Sequence, residues 1–171
     1  MASRYAGTAF HDVGGVRRVR FMIEARALEE PWQVGFGAEG NEALADTVKN
    51  GVGGTAGFRP HELLEAAFAT CVTMTARMAL AECAASEGAG EGAGEGAAQQ
   101  TGAGVRVRVW LERGEAETRF RYAVELPPGL ERYREEVERR VERSPVRTTL
   151  SRSLHFDRVP PSEVERGRVG M

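Results

Sequence analysis

The chain has 171 residues, with 23 Lys and Arg against 25 Asp and Glu and a formal net charge of -2. That length suits one domain with a sizeable core, and the near-neutral balance, with its arginines scattered among glutamates rather than clustered, argues against nucleic acid or an anionic membrane as a partner. Two cysteines, no charged and apolar leader, and no apolar run of about 18 residues predict a soluble, reducing, cytoplasmic setting.

Residues 1–15 are small and polar and are expected to be loose. Residues 18–28, around Arg20, Phe21, Met22 and Ile23, and residues 32–38 read as a hairpin across Glu29, Glu30 and Pro31; residues 42–47 give a third short strand. Gly51, Gly53, Gly54 and Gly57 then predict a flexible loop. No Lys-Ser or Lys-Thr follows them, so the phosphate-cradle reading of this glycine cluster fails.

Residues 57–83 read as one long helix. Pro60 fits the first turn, where a missing donor costs nothing, and Glu62 and Glu65 suit the positive helix start. Leu64, Phe68, Val72, Thr75 and Ala79 recur at helical spacing, and Leu63, Ala67, Met74 and Met78 widen the stripe until only a narrow face is polar. Such a helix needs covering on nearly all sides, which a second copy of the chain would supply. Cys71 sits mid-helix among small residues, where a thiol is either inert packing or a reactive group.

Residues 86–104 collapse to Gly, Ala, Glu and Gln and read as a flexible surface insertion. Beyond it Val105, Val107, Val109 and Leu111 alternate with polar neighbours, as do Phe120, Tyr122, Val124 and Leu126, predicting two half-buried antiparallel strands. Leu130, Tyr133, Val137 and Val141 mark one face of a charged amphipathic helix ending near Arg143. Ser144 followed by Pro145 predicts an N-cap and a proline at the first position of a further short helix. A last strand carrying Leu154 and Phe156 is expected to close the sheet, with residues 160–171 as a loose tail. His11 and His155 lack Cys or carboxylate partners at ligand spacing, so neither a metal nor a cofactor is expected.

The run P-x-E-L-L-x-A-A-x-A-T-C at 60–71, followed by S-P-V-R-T-T-L at 144–150, resembles the paired signature of the OsmC/Ohr superfamily. The likeness extends to Asp46 before the helix, the V-R-V-R-V-W-L strand after it, and the order of elements from about 16 to 159. It implies an α+β fold over 1–171, with antiparallel sheets around a long buried central helix in an intertwined homodimer. It also implies thiol-dependent reduction of organic hydroperoxides near the subunit interface, with Cys71 as the peroxidatic thiol. The family's second cysteine, which resolves the sulfenic acid, is here Ser144. Cys83 lies twelve residues past Cys71, about 18 Å along a straight helix, too far for a disulfide.

The resemblance further implies an acid and an arginine beside the thiol. Glu62 best matches the acid and Arg20 or Arg26 the arginine, while His61 occupies the place where the acid often stands; His61 or Arg59 could replace part of the positive field. Phe68, Met74 and Met78 hint at an apolar substrate pocket with Ser144 at its edge. Three readings follow: a one-cysteine peroxidase recycled by an external thiol or dithiol, a non-enzymatic protein binding a small apolar ligand, and a scaffold whose cysteine is merely buried.

Overall fold

The computed structural model describes residues 22–38, 40–87 and 102–162. Expectations for residues 1–15, Arg20, Phe21, most of the insertion and the end of the tail lie outside them. The chain divides into two compact units, Met1–Leu63 and Leu64–Met171.

In the first unit, β1 (Glu24–Ala27), β2 (Val34–Ala38) and β3 (Asn41–Ala45) form an antiparallel sheet in that order. The β1–β2 hairpin turns across Glu29 to Pro31 as expected, closed by the Leu28 N–H donating to the Gln33 carbonyl at 3.0 Å. Gly51 and Gly53 belong to a hairpin rather than to the flexible loop the sequence suggested, and only Gly54 and Gly57 fall in the connection to the helix. β4 (Val48–Lys49) and β5 (Val52–Gly53) make a tight hairpin through Asn50 and Gly51, both at positive φ (54° and 76°), the backbone that a two-residue Asn-Gly turn demands.

Asp46, one residue past β3 rather than within a strand, fastens this hairpin. It is 1 % exposed. Its Oδ1 accepts from the backbone of Thr47 (2.7 Å) and Gly54 (3.2 Å), and its Oδ2 from the backbone of Ala56 (3.0 Å) and the Gln33 amide (3.1 Å). Burial pushes its carboxyl up, but the donors of Ala56, Gln33, Thr47 and Gly54 together outweigh that and hold it below the usual carboxylate range. Gly54 is needed here, because a Cβ on it would stand 2.9 Å from Asp46 Oδ2.

A single helix, α1, runs from Pro60 to Glu87. At its start Pro60 takes the first position, the Arg59 carbonyl accepts from Leu63 N–H, and Glu62 reaches back to accept from Arg59 N–H at 2.8 Å, one half of a capping box. By length and composition α1 is apolar enough to cross a membrane, which corrects the expectation that no such run exists. A core helix needs the same composition, and Phe68, Val72, Ala76, Ala79 and Leu80 are buried within the second unit. The hydroxyls of Thr70, Thr73 and Thr75 donate to carbonyls four residues back, so these polar groups remain satisfied on an apolar helix.

The second unit packs α1 against β6 (Arg106–Arg113) and β7 (Thr118–Glu125), an antiparallel pair with Val109 opposite Tyr122 and Leu111 opposite Phe120. The alternation read from the sequence holds, with Val107, Val109 and Leu111 half-buried between exposed neighbours. Phe68 meets Phe120 and Tyr122 edge to face, each at 5.3 Å between centroids; such pairs add about 0.5–1.5 kcal/mol beyond burial. Glu65 accepts from Leu111 N–H at 2.7 Å, tying the helix to a backbone donor of β6. A 3₁₀ turn (Glu131–Tyr133) leads into α2 (Arg134–Val141), whose Val137 and Val141 complete the core. α3 (Pro145–Leu150) follows at once.

The expected closing strand does not form. Residues 153–160 carry no strand pairing, and Leu154 (51 %) and Phe156 (92 %) are exposed, so their spacing does not seat them on a sheet.

Candidate functional site

Cys71 follows the buried Phe68 by three residues, just under one turn of α1, and is half-buried. It lines an open cleft of about 800 Å³ within the second unit. One wall comes from α1, with Ala67, Thr70, Met74 and Met78; the other comes from the end of α2 and the start of α3, with Arg139, Arg140, Arg143 and Ser144 to Val146. Met74 and Met78 are each 64 % exposed, so the apolar stripe of α1 exceeds what the described residues cover.

Among the described residues the sulfur has one directed contact. Val146 N–H donates to Cys71 Sγ at 3.5 Å. Ser144 stands in the N-cap position of α3, with Pro145 next, as the sequence predicts. The capping bond itself is absent, which corrects the expectation for Ser144. An N-cap oxygen ordinarily accepts from the second or third residue of the helix, and here the second residue's N–H is engaged by the thiol. The Ser144 hydroxyl is left 0 % exposed without a hydrogen-bond partner among the described residues. A buried polar group in that condition costs about 1–3 kcal/mol.

Three arginines border the cleft. Arg139 and Arg140 pair with Glu136, and Arg140 also reaches Glu82 on α1 at 2.5 Å. Arg143 makes no ion pair among the described residues, which leaves its cation available to the cleft. In the sequence these basic residues are only part of a charged amphipathic helix ending near Arg143. Their spacing at the last turn of α2, just before Ser144-Pro145, was the signal that could have placed them here.

Of the residues singled out in the sequence, the cleft brings together Cys71, Met74, Met78 and Ser144. Phe68, 2 % exposed, belongs to the core. Arg26 lies exposed on β1 in the first unit, and Arg20 is outside the described residues. Arg59 and Glu62 pair with each other at the start of α1, where first the Arg59 side chain and then its backbone N–H hold the Glu62 carboxyl low. α1 has no break between Glu62 and Cys71 to bring that acid round to its own thiol. His61 is exposed on the first turn.

Cys83 is a different kind of thiol. It packs against the core cluster, and burial, followed by the nearby Glu136 carboxylate, pushes its pKa up, which disfavours the thiolate. Among the described residues no cluster of His, Cys, Asp or Glu is arranged to hold a metal.

No family model and no curated protein matches the chain. Among solved structures it is similar to a crystal structure from Psychrobacter arcticus 273-4, described as that of an osmotic stress induced and detoxification response protein. The identity is 15 %, over 82 % of this chain and 92 % of the other, with a TM-score of 0.49. At that level the likeness carries no inference about the activity of this chain.

Proposed function

We propose that the protein reduces organic hydroperoxides through Cys71 and is recycled by an external thiol. In the reaction the Cys71 thiolate attacks the outer peroxide oxygen, an S–O bond forms as the O–O bond breaks, and the alkoxide leaves and takes a proton as the alcohol. Cys71 is oxidised by two electrons to sulfenic acid. One external thiol then displaces water to give a mixed disulfide, and a second releases Cys71 and departs as the oxidised disulfide.

The observation that carries this reading is the placement of Cys71 Sγ in the wall of an open cleft, with a backbone N–H directed at it. A donor in that position is a contact that a thiolate accepts better than a thiol does. Met74 and Met78 give the cleft an apolar side suited to an organic peroxide, and the Arg143 cation stands on the other side. External recycling follows from the cysteine count. The only other cysteine is Cys83, twelve residues further along the unbroken α1 and about 18 Å away along its axis, whereas a disulfide needs Cα atoms within about 7 Å.

The reading extends to a homodimer in which a second copy covers the exposed Leu64, Met74 and Met78. A second reading, non-enzymatic binding of a small apolar ligand in the same cleft, is favoured by one observation: a serine, which cannot resolve a sulfenic acid, lines the cleft with the thiol.

The test is intact mass after one equivalent of cumene hydroperoxide with a sulfenic-acid trap, on wild type, Cys71→Ser and Cys83→Ser. Rapid trapping lost only in Cys71→Ser is the expected result. An unmodified Cys71 under those conditions would leave the ligand-binding reading in its place.

A further inference from the structure

We infer that Ser144 is the group that holds Cys71 in its oxidised form: its buried hydroxyl donates a hydrogen bond to the oxygen of the Cys71 sulfenic acid. The inference rests on the peroxidase reading above and goes beyond it, because it concerns what keeps the intermediate intact while it waits for an external reductant.

Ser144 Oγ is the one buried side-chain oxygen or nitrogen without a partner among the described residues. It belongs to a residue that lines the cleft together with Cys71. The two side chains are tied to the same backbone turn: Ser144 is the N-cap of α3, and one of the two N–H groups that a capping serine can receive, that of Val146, goes to Cys71 Sγ. The thiol thus takes one of the donors that a cap would use, and the hydroxyl makes no cap bond. Sulfur is a weak acceptor, and the reduced thiol makes no hydrogen bond with the hydroxyl. Oxidation attaches an oxygen to Sγ, lengthening the side chain and supplying a strong acceptor in the cleft that Ser144, whose hydroxyl has no partner among the described residues, also lines.

The consequence is chemical. A sulfenic oxygen that accepts a hydrogen bond has its lone pairs engaged, and the sulfur it is bound to is a poorer nucleophile toward a second peroxide. That attack would carry Cys71 irreversibly to sulfinic acid. A protein whose resolving thiol must arrive from solution has a longer interval to survive in this state than one with the thiol built in. Ser144 therefore acts as a positioning residue for the intermediate and takes no part in electron transfer.

The experiment uses the full chain carrying Cys83→Ser, alone and combined with Ser144→Ala or with Ser144→Thr. Cys71 is oxidised with one equivalent of cumene hydroperoxide. The persistence of the +16 species and the growth of the +32 species are then followed by intact mass after a second addition of peroxide. Because the decay is timed from the sulfenic acid already formed, its rate of formation does not enter. The expected result is a sulfenic acid several-fold shorter-lived, with more sulfinic acid, in Ser144→Ala, and recovery in Ser144→Thr, which keeps a hydroxyl. Thermal unfolding gives a second readout, in which oxidation raises the midpoint in the parent and not in Ser144→Ala. Equal lifetimes and equal shifts in parent and Ser144→Ala would overturn the inference while leaving the peroxidase reading standing. If neither protein forms a +16 species, the reading and the inference fall together.

Discussion

Asp46 in the first unit and Ser144 in the second are both buried polar side chains beside a turn, and the chain treats them in opposite ways. Asp46 receives four donors, two on each carboxylate oxygen, and Ser144 receives none. Native proteins pair nearly all buried polar groups, so a departure is informative where it occurs. Here the fully satisfied group organises backbone, whereas the unsatisfied one belongs to a residue that lines a cleft together with Cys71. Local rules of satisfaction are kept where the chain is architecture and broken where chemistry is expected.

Breaking the satisfied side of this comparison has the largest expected effect. Asp46→Ala orphans the N–H groups of Thr47, Gly54 and Ala56 together with the Gln33 amide, and releases the β4–β5 hairpin. The thermal midpoint should fall by roughly 5–10 °C. The pH dependence has a definite sign. The folded carboxyl titrates below its ordinary value of 3.8, so the unfolded chain binds the proton more readily. The stability Asp46 confers is therefore fully present above that ordinary value and is lost as pH falls through the lower folded value. Asp46→Asn, which has no charge to titrate, should lose this part of the acid sensitivity. An acid unfolding profile unchanged by Asp46→Asn would remove Asp46 from this role.

A smaller effect sharpens the other side. If the Cys71 sulfur has taken the capping N–H from Ser144, removing the sulfur should let the hydroxyl return to it. Cys71→Ala should therefore destabilise little beyond its lost packing, because Ser144 then caps α3. In the Cys71→Ala, Ser144→Ala double variant no side chain is left for Val146 N–H, and the loss should exceed the sum of the single ones by about 1 kcal/mol. Denaturant unfolding of the four proteins measures this directly. Additivity would mean that the two side chains do not share the donor.

Much of this arrangement was legible in the sequence and some of it was not, for physical reasons. Pro60 with Glu62 marked the start of α1, strict alternation marked β6 and β7, and Ser144-Pro145 marked the start of α3; each is a local signal that needs no distant partner. The Asn50-Gly51 turn was equally local but was hidden among other glycines. The closing strand failed because alternation at Leu154 and Phe156 states a preference that only pairing can realise. The cleft arginines and the diverted cap belong to tertiary structure. Arg139, Arg140 and Arg143 look like any solvated face until α2 is set beside α1, and nothing local reveals that a thiol 75 residues away will take the Val146 N–H.

The smallest expected effect is also the one that separates the two kinds of buried group most sharply. Replacing an N-cap serine by alanine ordinarily destabilises a protein by about 0.5–2 kcal/mol, because a helix donor loses its acceptor. In the reduced protein the Ser144 hydroxyl accepts nothing, and Val146 keeps its contact with Cys71 Sγ. Ser144→Ala should then be neutral, or stabilising by up to about 1 kcal/mol, because it removes a buried hydroxyl that has no partner. Denaturant unfolding under reducing conditions distinguishes the cases. A loss of ordinary N-cap size would show that the hydroxyl caps α3 in solution, and Ser144 would then be as fully satisfied as Asp46.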